Sequence, residues 1–175
     1  MIKIQDVLRA GHIKRWQIVN TTRQQTLAEH LFNVAMIGKT ICERCDLEDI
    51  KEIVMEWALI HDLPEVVCGD MPTPTKKRIL DAGFDMEYIY DKIDPMYREV
   101  KLEAYAQIMP NYIVKAADLI ESIHFISDHG IGRHARMVCA RLIRKFDDHI
   151  GSNLYDYRRE IRRIYDDVIN GDFYE

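Results

Sequence analysis

A chain of 175 residues with a formal net charge of -5 and 30% charged side chains is long enough for one domain that buries roughly 70% of its extended surface. Its Lys and Arg are interspersed with Asp and Glu, which excludes the broad cationic face that a nucleic-acid polymer would need. No apolar run approaches the ~20 residues that cross a bilayer, so membrane insertion is excluded and a cytoplasmic protein is expected.

In chain order, the first helix with clear signals opens at Thr26 and Glu29, a T-x-x-E capping box, and continues through Leu31, Val34, Ala35 and Ile41 at helical spacing. Cys42 and Cys45 follow in "VAMIGKTICERCD". This C-x-x-C pair sits one turn apart in an apolar stretch and is read as packing, not as a zinc or redox site. Ile50, Ile53, Val54 and Trp57 mark a second helix. The stretch "CGDMPTPT", Cys68 to Thr75, has two prolines two residues apart and reads as an irregular loop. Pro110 suits the first turn of a helix whose buried face is Ile113, Ala117, Ile120 and Ile123. Val138, Leu142 and Phe146 mark the next. Gly151 and Ser152 are expected to separate it from a last helix over Asn153 to Ile169. With no hairpin signal, repeat or linker, the reading is all-α, one domain over residues 1–175.

Chemistry enters where polar groups fall on these apolar faces. His30 lies in the first turn of one helix ("LAEHLF"), His61 and Asp62 end another ("ALIHDLPEV"), and Asp118 is inside a third ("VKAADLIES"). Burying two imidazoles and two carboxylates costs several kcal/mol unless something compensates. A divalent cation satisfies all four, and the mixed N/O donor set suits Mn, Fe, Co, Ni or Zn without choosing among them. His12, His124, His129, His134 and His149 stand beside charged or glycine-containing neighbours and are left outside the set. His124, six residues after Asp118, falls on a different flank of an ideal helix.

The H…HD…D pattern resembles the HD-domain metal-dependent phosphohydrolases. The words "RW" at Arg15 and Trp16, "TLAEH", "HDLPEVVCGDMPTPTK" and "KAADL" are similar to the 5'-deoxynucleotidase (YfbR-like) branch, and "RWQIVNTTRQQTLAEH" to its phage dATP triphosphohydrolases. The resemblance covers most of residues 9 to 124. It implies metal ligands at His30, His61, Asp62 and Asp118, and catalytic carboxylates at Glu65 and Asp70. Glu65, one turn beyond the HD pair, is positioned for acid/base work on water. Arg15 offers a planar, permanently charged fork to phosphate, and Lys76 adds a point charge, with Lys77 the weaker candidate. The resemblance also places Trp16 against the sugar, where its ring would collide with a 2'-hydroxyl, and Ile18 and Pro74 in the same pocket. Arg23 is the one member of the connector "NTTRQQ" worth testing.

The implied cofactor is a transition metal (Zn, Co, Mn or Fe), with additional Mg or Mn on the phosphates compatible with it. The implied partner is a small-molecule deoxynucleotide, and the implied assembly a homo-oligomer, dimer or hexamer. The expected reaction frees the deoxynucleoside from a 5'-deoxynucleotide. Lys76 beside Arg15 tilts the expectation to triphosphates, dATP first, over monophosphates. A cyclic-nucleotide or alarmone hydrolase shares the H…HD…D set but not the "RW" and "GDMPTPTK" words. A non-catalytic nucleotide sensor would be favoured by a missing ligand or a missing Glu65, and none is missing.

Overall fold

The computed structural model describes residues 3–84, 86–93 and 95–171. The helices are α1 (Ile4–Val7), α2 (Leu27–Arg44), α3 (Lys51–Ile60), α4 (Glu65–Cys68), α5 (Thr73–Asp81), α6 (Met86–Ile93), α7 (Pro95–Gln107), α8 (Met109–His129), α9 (Gly132–Asn153) and α10 (Arg158–Asn170), with short 3-10 turns at Leu8–Gly11, Glu48–Ile50 and Tyr155–Tyr157. Among the described residues there is no strand, only isolated bridges between Lys14 and Thr26 and between Thr21 and Gly130. None of these helices is long and apolar enough to cross a membrane.

The expected apolar stripes form the core. Leu31, Val34, Ala35 and Ile41 of α2 meet Ile53, Val54 and Trp57 of α3, and Ile113, Ala117, Ile120 and Ile123 of α8 fill the space between them, all buried. α2 packs on both α3 and α8, α9 lies along α8, and α10 closes over α2 and α8. Cys42 and Cys45 are buried in this core as free thiols, and burial pushes them up to about 12 and about 11. Gly38 lies where α2 crosses α3: a Cβ there would stand 3.1 Å from Val54 Cγ1.

Three boundaries differ from the sequence reading. Gly151 and Ser152 do not break the chain. They lie inside α9, and the break falls at Leu154, which is buried and has left helical φ and ψ. The last helix accordingly starts at Arg158, not Asn153. The proline stretch is irregular only to Pro72, because Pro74 occupies the first turn of α5, where its missing N–H has no intrahelical partner to lose. At the start of α2, Thr26 Oγ1 accepts from the Glu29 amide at 3.1 Å, while the Glu29 carboxylate also takes Arg23 Nη1 at 3.0 Å and Nη2 at 2.6 Å.

Candidate metal centre and active site

The core helices α2, α3 and α8 each deliver one polar group to a single point. His30 from α2, His61 from the C-cap of α3 and Asp118 from α8 bring their ligand atoms within 4.8 Å of one another. His30 Nε2 is 3.7 Å from Asp118 Oδ1 and 3.8 Å from Asp62 Oδ2, and His61 Nε2 is 3.7 Å from the same Asp62 oxygen. Asp62 thus faces both imidazoles but lies outside the three-residue group, and its Oδ2 accepts from Arg15 Nη1 at 3.1 Å.

The tautomers follow from the partners. His61 Nδ1 lies 2.8 Å from the Ala58 carbonyl and His30 Nδ1 2.6 Å from Glu121 Oε2, and neither a carbonyl nor a carboxylate can donate. Both rings therefore carry their proton on Nδ1 and turn a bare Nε2 inward. Both Nε2 atoms are buried without a hydrogen-bond partner among the described residues. Two orphaned imidazole lone pairs converging with a carboxylate is the donor set a divalent transition metal takes, so His30, His61, Asp118 and the adjacent Asp62 fit such an ion.

Electrostatics agree. Burial alone would raise the Asp118 carboxyl, but Lys115, whose Nζ is 2.7 Å from Oδ2, together with His30 and His61 holds it well below the usual range. Burial lowers His61 and favours the neutral ring a ligand requires. Glu65 behaves in the opposite way. It is completely buried in α4, and burial with the nearby Asp62 charge pushes it up to about 8 despite Lys76 Nζ at 2.8 Å from Oε1. Tyr90 Oη lies 3.4 Å from the same oxygen, and Oε2 has no partner among the described residues. Asp70 is also raised, by burial first, with Arg15 Nη1 3.8 Å from its Oδ1 pulling the other way.

A cleft of about 700 Å³ opens over this point. Arg15, Trp16, Ile18, His61, Asp62, Asp70, Pro74, Lys76 and Asp118 all line it, whereas His30 and Glu65, fully buried, are not on its wall. Lys77 lines it too. Arg23 does not: its guanidinium is taken by Glu29 and by His129 Nε2 at 3.0 Å, over the Phe125 ring. His134, set aside on sequence, lines the cleft, as do Val138, Arg141, Leu142 and Lys145, because this face of α9 turns to the cavity and not wholly to the core. Four polar partners were missed: Glu121, Gln25, Asn33 and Lys115. Glu121 had a signal, an acid in the otherwise apolar "AADLIESIHF" three residues after Asp118, hence on the same helical face.

The helical frame and the partly buried His/His/Asp cluster beneath a cation-lined cleft define an HD-type phosphohydrolase. Residues 4–124 match the family described as 5'-deoxynucleotidase YfbR-like, and the chain belongs to it. It is 34% identical over 158 residues to a dATP triphosphohydrolase of Salmonella phage PMBT28, covering 85% of this chain and 78% of that protein. It is 26% identical to a 5'-deoxynucleotidase of Photobacterium profundum, covering 89% of this chain and 78% of the relative. Among solved structures, the cyanophage S-2L HD phosphohydrolase DatZ, bound to dA and one catalytic Zn2+ ion, superposes with a TM-score of 0.87 at 26% identity, covering 98% of this chain and 99% of that one.

Proposed function

We propose that this protein hydrolyses the 5' ester of deoxynucleotides, converting dATP to deoxyadenosine and triphosphate. The observation that carries the reading is the pair of buried, partnerless Nε2 atoms facing Asp118 beneath a cleft whose wall presents Arg15, Lys76, Lys77, Lys115, Arg141 and Lys145. That many cations suits an anion longer than one phosphate. When bound by His30, His61, Asp62 and Asp118, a divalent transition metal, zinc first by likeness to the zinc-bound relative, supplies Lewis acidity for phosphoryl oxygen and water.

The chain's own groups do the rest. Arg15, held between Asp62 and Asp70, directs its guanidinium to phosphate oxygens. Glu65 in its ionised form, held by Lys76 and made a stronger base by burial, takes the proton of the water that adds to the α-phosphorus. The bond from phosphorus to the 5' oxygen breaks, and Asp70 returns a proton to that oxygen. Lys76 serves Glu65 as well as phosphate, so arrival of the substrate anion competes for its charge.

Incubating the zinc-loaded enzyme with dATP and separately with dAMP, and identifying products by chromatography, tests the reading. Deoxyadenosine plus intact triphosphate is expected. Orthophosphate from dAMP with dATP untouched would make it a monophosphate nucleotidase instead. We read the protein further as a homo-oligomer acting in the cytoplasm, the host's where the gene is a phage's. The exposed Phe32 and Met36, one turn apart on α2, support self-association, and light scattering tests it.

Trp16 is read as the wall that excludes a 2'-hydroxyl, supported by its place on the cleft and its stacking on Phe125 at 5.8 Å with an 11° interplanar angle. Trp16→Ala should therefore lower the ratio of kcat/KM for dATP over ATP. An unchanged ratio would leave the ring a packing partner of Phe125 alone.

A further inference from the structure

Gln25 precedes α2 by two residues and is completely buried, an unusual place for an uncharged amide that does not line the cleft. Its side chain sits between the cleft wall and the metal centre. Trp16 Nε1 donates to Gln25 Oε1 at 2.9 Å. An indole N–H can only donate, so the amide oxygen must face Trp16 and the amide nitrogen must face the other way. There it donates to Glu121 Oε1, which also receives Asn33 Nδ2 at 3.3 Å. The second Glu121 oxygen takes His30 Nδ1–H at 2.6 Å. The chain of bonds is therefore directional: Trp16 donates to Gln25, Gln25 donates to Glu121, and His30 donates to Glu121 from the other end. The main chain adds a further tie, because the Arg15 amide donates to the Gln25 carbonyl at 3.0 Å.

Trp16 needs such a tie. Its φ is +63°, in the left-handed region that a bulky residue with a Cβ avoids, so its ring direction is not set by ordinary local preference. It is set by what grips the residue: the Arg15 amide on one side, the Trp16 carbonyl accepting from Val19 N at 3.0 Å on the other, Phe125 against the face and Gln25 on the indole nitrogen.

We propose that Gln25 is a positioning residue that fixes, through its two amide ends, both the Trp16 wall and the Glu121–His30 pair, so that sugar selectivity and metal affinity share one buried side chain. The inference rests on the reading of Trp16 as sugar wall and His30 as metal ligand. A Gln25 that merely satisfied itself in the core would influence folding stability, but not both of these properties in proportion to its two bonds.

The test uses the full-length enzyme and two readouts: the dATP-to-ATP ratio of kcat/KM, and zinc affinity by competition with a chromogenic chelator. Wild type comes first. No preference for dATP over ATP, or no zinc binding, overturns the reading of the site and takes the inference with it. Given both, Gln25→Met, of similar length but unable to donate or accept, should lower the ratio and weaken zinc binding by about tenfold each, the low end of what partners outside the ligand set contribute. Trp16→Phe keeps an aromatic face for Phe125 but removes the indole N–H. It should lower the ratio alone, and adding Gln25→Met to it should weaken zinc binding as before while lowering the ratio no further.

If Gln25→Met does not fold, Gln25→Glu carries the test above neutral pH. It retains an acceptor for the indole but offers Glu121 a like charge in place of an N–H, so zinc affinity should fall while the ratio holds. Wild-type values for both readouts in folded Gln25→Met overturn the proposal. So does a fully additive loss of selectivity in the double variant.

Discussion

Asp118→Ala is expected to abolish turnover and leave the purified protein short of metal while its helices persist. The carboxylate faces His30 Nε2 at 3.7 Å and is the contribution of α8 to a cluster otherwise drawn from α2 and the end of α3. Removing it should cost more than the ~10–100-fold that loss of an outer partner costs, since a donor to the ion itself is gone. Alanine is a strong helix former, and Lys115, the ion-pair partner left behind, has half its side chain in solvent and can be hydrated there. Far-ultraviolet circular dichroism should therefore match wild type. Elemental analysis after dialysis decides the matter: normal metal content in the variant removes Asp118 from the ligand set.

Glu65→Gln separates chemistry from metal binding. Glu65 is three residues beyond Asp62, fully buried, and engaged by Lys76 and Tyr90, with one oxygen left without a partner. Glutamine preserves its shape and can still accept from Lys76, but cannot take a proton from water. Metal content should be unchanged and kcat should fall by roughly 10²–10⁴, the usual worth of a positioned acid or base. A variant as active as wild type would make Glu65 a structural partner of Lys76. Pre-steady-state measurement of deoxyadenosine formed, by chemical quench, ensures that the step compared is hydrolysis and not product departure.

The residues that converge in space were legible because they share one anomaly: ionisable groups on faces otherwise apolar. His30, His61 and Asp118 stand out in "LAEHLF", "ALIHDL" and "KAADLI" without any knowledge of tertiary structure. Glu121 carries the same anomaly, one turn after Asp118 within the buried face that runs on to Phe125 and Ile126, but it falls outside the H…HD…D pattern on which the sequence reading was built. Gln25 and Lys115 were not legible at all. An uncharged amide in a connector and a lysine on a helix have solvated explanations that only the three-dimensional arrangement removes. The α9 contribution was hidden for a related reason. Val138 and Leu142 follow core spacing, and periodicity cannot tell a helix face that meets another helix from one that meets a cavity. Element ends went astray where tertiary packing outweighed local preference, as at Gly151, which stays helical, and Leu154, which does not.

On the proposed reading of Trp16 as the sugar wall, its left-handed backbone links selectivity to stability. A bulky residue at a φ of +63° costs roughly 1–2 kcal/mol relative to glycine, and that cost is borne by every folded molecule whether or not substrate is present. Glycine at the same position would relieve the backbone and remove the ring proposed as the sugar wall. The turn also places Arg15 and Trp16 side by side on the wall of one cleft, so adjacent residues can address the charged and the uncharged parts of a nucleotide. On the proposed reading of Trp16 as the sugar wall, backbone relief and discrimination are opposed at this one residue.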